Sequence, residues 1–389
     1  MNCDIAIIGA GPSGLCLARA LAETGLSIVL IERQKESSLA DPVFDGREIA
    51  LTHTSRAILE ELDIWSRLPQ EDVALLRDAQ VLNGPSPFAL QIQAGYAGAD
   101  HLGHLVANRA IRQAAWQSVQ AVGGVQLLCE TRLRQLRQHN GGVELALSDG
   151  TQLEARLLVA ADSRFSDTRR LLGIGAQMKD FGKSMMVCRM NHEVDHQQVA
   201  WEWFGYGQTL ALLPLNGRQS SVVVTLPPRE IEKLHEMDPL AFAREMEARF
   251  CGRLGSMELA SGRHVYPLVG AYARHLVAHR SALIGDAAVG MHPVTAHGFN
   301  FGLSSVQRLS HLLREAHQRH RDIGAHALLA RYERQQRMAT WPLYQATNLL
   351  VECYTNDRLP MRLLRGAALR AAQQLIPLKR GIARHLTTG

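Results

Sequence analysis

Two stretches of this sequence carry residues whose types and spacing suit a nucleotide cofactor. In the first, GAGPSG, Gly9, Gly11 and Gly14 directly follow an apolar run rich in isoleucine. Glycines at this spacing allow a tight turn and let a pyrophosphate approach the backbone at a helix N-terminus. A second apolar run ends at Glu32, whose carboxylate can accept both hydroxyls of an adenosine ribose. This predicts a site that prefers FAD or NAD to NADP; the alternative is a glycine-rich turn in an unrelated α/β protein.

The second stretch, LIGDAAVGMHPVTAHGFNFGL, combines an acidic turn, a proline turn and the start of a helix. Gly285 permits a sharp turn that directs Asp286 toward a polyol or ribityl hydroxyl. Pro293 fixes the chain before a helix that begins between Gly298 and Asn300. The free N–H groups at that helix start favour the negative charge of a reduced flavin. The alternative is a strand, a loop and a helix without a ligand.

Further polar residues follow predicted strands or begin predicted helices. Arg47 could clamp a pyrophosphate or brace the flavin, or it could form a surface ion pair. Arg109 opens a helix and could reach back toward a cofactor phosphate. Asp162 ends a buried strand, as Asp286 does, although an Asp in this position is most often a helix cap. In the strand WEWF, Glu202 and Phe204 should share one face and the two tryptophans the other.

Composition excludes several classes of protein. The chain has 389 residues, 46% of them apolar, which is enough for two or three domains with a large core. A net charge of +5 without zinc-finger spacing argues against nucleic acid. Six scattered cysteines without a CxxC pair indicate a reducing, cytoplasmic setting and no disulfides, and the histidines show no metal-ligand spacing. No signal peptide and no apolar run of membrane-spanning length is visible.

The C-terminal segment is basic and amphipathic. Residues 357–389 carry seven Lys and Arg against one Asp, with apolar residues at helical spacing. Such a tail can lie on an anionic membrane or dock on a partner in a biosynthetic complex. An ordinary terminal helix, packed on its own domain with its basic face in water, is equally compatible with the pattern. A helix ahead of the tail is expected to break near Pro342.

The order of GAGPSG, ADSRFSDTRRLLGI and GDAAVGMHPVTAHGFNFGL resembles the single-component (class A) FAD-dependent aromatic hydroxylases, most closely the ubiquinone-ring hydroxylases. The similarity runs nearly end to end. It departs from the family at Ser163, where a glycine is usual, at Ala296 and His297, where Gly and Gln are usual, and at Val289, where a histidine is usual. A cationic side chain at the position of His297 has a precedent in the 4-hydroxybenzoate hydroxylase branch.

The resemblance implies an α/β fold: a Rossmann-like FAD/NAD(P)-binding domain of the GR2 type with an inserted β-sheet substrate domain and a C-terminal helical region. The expected FAD domain is discontinuous (residues 1–70, 100–175 and 263–340), the substrate domain comprises residues 71–99 and 176–262, and the basic helical region residues 341–389. The residues expected to bind the cofactor are Gly9, Gly11, Pro12, Ser13, Gly14, Glu32, Arg33, Arg47, Arg109, Asp162, Gly285, Asp286, Pro293, Gly298, Phe299 and Asn300.

The resemblance implies hydroxylation of the aromatic ring of a polyprenylated ubiquinone precursor. The activity of a 5-demethoxyubiquinol 5-hydroxylase is one example. NAD(P)H would reduce FAD, and O₂ would react through a flavin C4a-hydroperoxide. His297, His292 and Glu202 are the candidates for assisting phenol deprotonation or polarising the flavin. The greasy substrate suggests a cytoplasmic enzyme that is peripheral to the inner membrane. Two alternatives remain: an FAD-dependent prenyl-lipid reductase or dehydrogenase, and a flavin-binding scaffold subunit of a membrane-associated complex.

Overall fold

A computed structural model describes residues 1–292, 298–355 and 358–388 of the chain. The strands of this part are, in chain order, β1 (Asn2–Ile8), β2 (Ile28–Ile31), β3 (Glu48–Leu51), β4 (Val73–Leu76), β5 (Asp78–Asn83), β6 (Ala89–Gln93), β7 (Gly103–Ala107), β8 (Val125–Leu128), β9 (Leu133–Gln138), β10 (Val143–Leu147), β11 (Gln152–Ala160), β12 (Ala176–His192), β13 (Val199–Phe204), β14 (Thr209–Pro214), β15 (Gln219–Leu226), β16 (Met257–Leu259), β17 (His264–Ala273), β18 (Val277–Ala278), β19 (Ser281–Leu283) and β20 (Val289–Gly290).

The α-helices of the same part are α1 (Pro12–Leu21), α2 (Glu36–Ala40), α3 (His53–Glu61), α4 (Asn108–Val122), α5 (Asp167–Leu171), α6 (Pro228–Glu236), α7 (Pro239–Arg249), α8 (Gly298–Gln318), α9 (His326–Thr355), α10 (Leu359–Gln374) and α11 (Ile376–Thr388). Short 3₁₀ turns cover Ala22–Thr24, Trp65–Arg67, Gln70–Asp72, Ala94–Ala97 and Gly285–Ala287. Among the described residues, no helix combines the length and the apolar character needed to cross a bilayer.

An eight-stranded sheet carries the glycine turn. Its main order is β18-β19-β11-β1-β2-β8, and β9 and β10 form a meander with β11. The pairs of β1 with β2, β1 with β11, β2 with β8 and β11 with β19 are parallel. One face is covered by α1, α4 and α8, which share one apolar core with it. The strands are apolar on both faces, as buried parallel strands must be.

A nine-stranded, mostly antiparallel sheet forms the second body. Its order is β20-β17-β12-β15-β14-β13-β5-β6, with β16 beside β12. One face packs on α6 and α7 through Ile231 and Phe242, and the other faces a cavity. β17 and β20 belong to this sheet, although the sequence assigned residues beyond 262 to the FAD domain. Alternation along β17 could not indicate which sheet the strand joins, because its partner β12 lies about eighty residues earlier in the chain.

A three-stranded sheet, β3-β7-β4, lies beside the cavity.

The expected break at Pro342 is wrong, since α9 runs through this residue. Proline removes the hydrogen bond to the carbonyl four residues earlier, here that of Met338. Met338 is 73% exposed, so this part of the helix lies at the protein surface.

Candidate functional site

A cavity of about 1170 Å³ lies between the eight-stranded and nine-stranded sheets. Pockets for a single small ligand usually hold roughly 300–1,000 Å³, so this volume suits two ligands side by side. One end is lined by turns that follow β1, β2, β11 and β19, and the other by the inner face of β12 to β15. We describe these as the turn end and the sheet end.

The glycine turn forms the floor of the turn end. Gly9 has a φ of +105°, and a Cβ there would lie 2.7 Å from the carbonyl oxygen of Ala161. At Gly14 a Cβ would lie 1.9 Å from the carbonyl oxygen of Gly9, so this glycine lets α1 pack on the turn. At Gly11, which lines the cavity, a Cβ would meet nothing within 4 Å. Two glycines therefore shape the turn, and the third leaves open the space where a phosphate could approach.

Glu32 and Arg33 flank the glycine turn at the end of β2, and both line the cavity. The Glu32 carboxylate is buried and accepts hydrogen bonds from the backbone N–H of Ala10 (2.7 Å) and of Gln34 (2.9 Å). These bonds hold an acceptor beside the turn, as expected for a ribose contact. Pro12 and Ser13 line the cavity as well, while Gly14 lies behind the turn.

Two aspartates meet at the carboxyl ends of neighbouring parallel strands. Asp162 follows β11 and Asp286 follows β19, and both line the cavity. Asp162 accepts from the Ser166 hydroxyl (2.5 Å) and the Thr168 N–H (3.2 Å), so it supports the start of α5, whose N-cap is Ser166. Asp286 pairs with Arg164, with 3.2 Å between the charged atoms.

Gly285 has a φ of +57°, and a Cβ there would lie 2.5 Å from the Ser13 hydroxyl. The glycine therefore allows the Asp286 turn to sit directly on the start of α1. It does not line the cavity itself, so its expected role in binding is indirect.

The start of α8 is divided between the cavity and the protein core. Gly298 and Phe299 line the cavity, as expected. Asn300 does not, because its side chain is committed to the end of β3: it accepts from the Thr52 N–H (3.3 Å) and donates to the Ala50 carbonyl (2.9 Å). Its role is thus to hold α8 against β3 and α3. Pro293 and His297, also expected here, lie outside the described residues.

One of the two arginines that the sequence predicts at the cofactor lines the cavity, and the other does not. Arg47 lines the cavity and pairs with Asp45 at 2.6 Å, so the ion pair is present and a contact with the cofactor stays a prediction. Arg109 does not line the cavity, and its guanidinium lies 3.9 Å from Asp41. Arg112 lines the cavity instead, one turn later on α4. Desolvation lowers its pKa, while Asp45, Arg47 and Glu32 act on it electrostatically. A helical-wheel comparison of the two arginines could have found it.

The sheet end is mostly apolar, with Lys183 of β12 and Glu202 of β13 as its charged lining residues. On β13, β14 and β15, Glu202 is the one charged side chain among the described residues that line the cavity. The other lining residues of these strands are Phe204, Thr209, Ala211, Leu213, Ser221, Val223 and Thr225. Trp203 points to the opposite face and packs with α6 and α7, as the alternation in WEWF predicted.

Burial raises the pKa of Glu202 to about 8, and no charge among the described residues opposes this shift. The carboxyl makes no hydrogen bond to any described residue. A group with these properties holds a proton at neutral pH and releases it slightly above. Glu202 thus has the pKa of a candidate acid or base and faces the space where a substrate could bind.

His292 lies where the two ends of the cavity meet, and its ring packs edge-on against Phe181 at 4.7 Å. Burial lowers its pKa to about 4, and Lys183, Arg164 and Lys179 lower it further. The imidazole is therefore neutral at pH 7 and can donate through one nitrogen and accept through the other.

Sequence reasoning missed Glu48, which lines the cavity between its ends. Its side chain is 1% exposed, and one oxygen lies 2.7 Å from Arg189 on β12. The other oxygen has no hydrogen-bond partner among the described residues. Burial raises the pKa of Glu48 to about 7 despite Arg189. No local signal marked it, because its partner lies 141 residues away.

The turn end fits FAD. It offers an open glycine turn at a helix N-terminus, a ribose acceptor in Glu32, acidic side chains at two further strand ends, and cationic side chains at Arg33, Arg47 and Arg112. This donor and acceptor set matches a dinucleotide with a polyol chain.

The chain matches the family described as "FAD binding domain" over residues 2–347. It is 46% identical to "Ubiquinone hydroxylase UbiM" of Neisseria meningitidis, over 100% of this chain and 85% of that protein. It is 36% identical to "Ubiquinone hydroxylase UbiL" of Rhodospirillum rubrum, over 98% of this chain and 89% of that protein. Among solved structures, p-nitrophenol 4-monooxygenase PnpA of Pseudomonas putida superposes with a TM-score of 0.79 at 15% identity, covering 100% of this chain and 99% of that one.

Proposed function

We propose, since this chain belongs to the FAD binding domain family and within it to the aromatic hydroxylases, that it hydroxylates the ring of a polyprenylated ubiquinone precursor. The resemblance drawn from its motifs is confirmed, as are the fold class, the flavoenzyme class and FAD as cofactor. The substrate is inferred from the names of the relatives and from the sheet end of the cavity. NAD(P)H is the expected reductant.

The proposed substrate rests on one observation, the chemical character of the side chains that line the sheet end of the cavity. A soluble aromatic acid would require a basic side chain beside its carboxylate. The wall of β13 to β15 offers apolar and hydroxyl-bearing side chains and one carboxyl, Glu202, and the basic side chain at this end, Lys183, lies on β12. This wall suits a neutral ring with an apolar substituent and a phenolic hydroxyl. The volume of about 1170 Å³ leaves room for the ring beside the cofactor.

The turn end would hold FAD by its shape and charge. Gly11 and the start of α1 would receive the pyrophosphate, Glu32 the ribose, and Asp286 the ribityl chain, with Arg33, Arg47 and Arg112 balancing the phosphates. Pro293, Gly298 and Phe299 are proposed for the isoalloxazine. Bound FAD would supply hydride acceptance from NAD(P)H and activation of O₂.

Glu202 would hold the proton of the substrate hydroxyl. A phenol has a pKa near 10, and a base with a pKa of about 8 can share its proton while the ring becomes electron-rich. His292, which is neutral at pH 7, would orient the ring or the flavin edge through a hydrogen bond. His297 keeps its candidate role but lies outside the described residues. The apolar wall would keep water from the reacting atoms.

Substrate-dependent oxygen uptake by the purified protein separates the alternatives. A hydroxylase consumes one O₂ for each hydroxylated product, whereas a prenyl-lipid reductase or dehydrogenase turns over without this stoichiometry. A flavin-binding scaffold subunit would take up FAD without consuming O₂ in response to a substrate, and a flavin-free one would lack flavin absorbance altogether. Deleting the gene and identifying the accumulated quinone intermediate by mass spectrometry assigns the ring position. Oxygen uptake that does not respond to any ubiquinone precursor would contradict the proposal.

The proposed place of work is the cytoplasmic surface of the inner membrane, because a polyprenylated ring resides in the bilayer. The basic C-terminal region is the proposed point of contact with that surface or with a biosynthetic complex.

A further inference from the structure

The structure divides the basic C-terminal region into a packed part and a projecting part. Leu369 of α10 and Ala383 of α11 are buried with Leu90 and Ile92 of β6, and Ile382 and Leu386 pack against the same cluster. These four side chains of α10 and α11 thus cover the protein itself. They are not available to a membrane.

The junction of α10 and α11 is different. Leu375, Ile376 and Leu378 are 52%, 49% and 44% exposed, which places three large apolar side chains in water within four consecutive residues. Exposed apolar side chains are ordinary when single, but a contiguous group marks an interaction site.

Hydrogen bonds on both sides hold this junction in place. The Gln373 side chain accepts from the Gln91 N–H of β6 at 3.1 Å. The Lys379 ammonium donates to the Tyr96 hydroxyl at 2.9 Å and lies 4.6 Å from its ring centre. The turn between these anchors is therefore a fixed projection of the fold.

The charged residues of the C-terminal segment itself have one sign. Residues 358–388 contain no Asp or Glu. Lys379 points inward, but Arg370, Arg380 and Arg384 are exposed. Ile376, Arg380 and Arg384 recur at four-residue spacing, so they lie on one face of α11, with the apolar residue at its start. An apolar tip with an arginine rim complements the acyl chains and anionic headgroups of a bilayer.

The projection is also close to the sheet end of the cavity. α10 and α11 pack on β6, which pairs with β5, and β5 pairs with β13, the strand of Glu202. With strands about 4.8 Å apart, β6 lies roughly 10 Å from β13. A membrane that receives the projection would thus lie against the side of the protein where the ring is proposed to bind.

We propose that the α10–α11 junction, with Leu375, Ile376 and Leu378 at its tip and Arg370, Arg380 and Arg384 as its rim, inserts into the surface of an anionic lipid bilayer. The idea that this brings the active site to its substrate rests on the proposed function; the insertion itself does not. A protein partner at this surface is the competing occupant. The arginine rim favours lipid, because the anionic headgroups of a bilayer attract arginines held near its surface.

The test is flotation of the FAD-loaded protein with vesicles of phosphatidylcholine, with and without phosphatidylglycerol. The wild type is expected to float with the anionic vesicles and far less with the neutral ones. Leu375→Ser combined with Leu378→Ser should lower the partition coefficient at least about tenfold, since two buried apolar side chains are lost. Arg380→Gln combined with Arg384→Gln should lower it by a similar factor, and only on anionic vesicles. Val194→Ser combined with Leu240→Ser, also exposed apolar residues, is the matched control and should float like the wild type.

A wild type that does not float with anionic vesicles, or a Leu375/Leu378 variant that floats equally well, would overturn the insertion and leave a protein partner as the occupant. Oxygen uptake separates this from the proposed function. The Leu375/Leu378 variant should keep its turnover of a short-chain, water-soluble phenol and lose turnover of a vesicle-embedded one. If no variant hydroxylates any phenol but flotation responds as described, the proposed function fails and the insertion stands.

Discussion

Glu32 and Glu202 line the same cavity, yet the chain surrounds them with different partners. At the turn end, two backbone N–H groups donate to the Glu32 carboxylate and fix its orientation. At the sheet end, Glu202 receives no hydrogen bond from the described residues, and burial raises its pKa to about 8. One carboxylate is held as a permanent acceptor, and the other is left able to change its protonation state.

This difference matches the tasks of the two ends. A cofactor that stays bound needs fixed donors and acceptors, and the turn end supplies them from backbone geometry. A group that moves a proton needs a pKa near the working pH, and an apolar wall supplies this by desolvation. The following variants test the distinction in order of expected effect.

Gly14→Ala should break the turn end outright. Its Cβ would lie 1.9 Å from the Gly9 carbonyl oxygen, so α1 cannot keep its place on the turn. We expect a loss of more than about 4 kcal/mol in the free energy of unfolding, and no bound FAD. Gly11→Ala is the control, because its Cβ meets no described residue within 4 Å. It should keep the stability of the FAD-free chain while lowering FAD affinity roughly tenfold or more. Equal stability of the two FAD-free variants in urea would contradict this assignment.

Glu202→Gln should leave FAD binding intact and lower the rate of hydroxylation by about 10²-fold, the usual contribution of a positioned base. The wild-type rate should rise with pH as Glu202 ionises near pH 8, and the variant should lack this rise. Stopped-flow product formation across pH 6 to 9.5 measures both. An unchanged rate with an unchanged pH profile would remove Glu202 from the reaction.

The same variant loses activity but should gain stability over the wild type at high pH. Because the folded-state pKa of Glu202 is raised, the neutral form favours the fold at low pH, and this contribution is lost as the pH rises through about 8. Glu202→Gln cannot ionise. Thermal unfolding should therefore show the variant to be more stable than the wild type at pH 9 but not at pH 5; a difference that is independent of pH would argue against a buried, titrating carboxyl.

Arg189→Met tests the link between the two ends. Arg189 of β12 pairs with Glu48 of β3, whose side chain is 1% exposed. Removing the arginine leaves a buried carboxyl without its cation, which should cost about 2 kcal/mol; this is less than the roughly 3–5 kcal/mol of a fully buried pair, because Arg189 is partly exposed. Adding Glu48→Gln should recover part of the loss. Urea unfolding of the single and double variants measures the coupling, and strictly additive losses would show that the pair does not link the two strands.

The smallest effect is expected from two arginines of α4. Arg112→Ala should weaken FAD binding about tenfold, because a cation is lost from the cavity lining. Arg109→Ala should change the affinity by less than about twofold, since Arg109 lies outside the lining. Fluorescence titration of the FAD-free variants compares them, and the reverse order would restore the expectation drawn from the sequence.

The turn end could be predicted from the sequence because its signals are local. Gly9, Gly11, Glu32 and Asp286 each follow a strand at a recognisable spacing, and the structure brings them to one cavity. The alternation in WEWF likewise placed Glu202 and Trp203 on opposite faces.

The sequence predictions fail where a structural feature depends on residues that lie far apart in the chain. The membership of β17 in the nine-stranded sheet, the Glu48–Arg189 pair and the tie from Asn300 to β3 are all long-range. The choice between Arg109 and Arg112 depends on how α4 is rotated against the sheet. The basic C-terminal region could not be placed for the same reason, because the periodicity of its apolar residues does not distinguish a helix face that packs on β6 from one that contacts a membrane.

The central claim is that one cavity holds FAD at its turn end and a neutral phenolic ring at its sheet end, where oxygen is inserted. Turnover of a ubiquinone precursor with NAD(P)H under isotopically labelled O₂, followed by mass spectrometry of the product, tests it most directly. We expect one labelled oxygen atom on the ring of each product molecule, with oxygen consumed in equal amount. Product without label, or NAD(P)H oxidation that yields only hydrogen peroxide, would contradict the account.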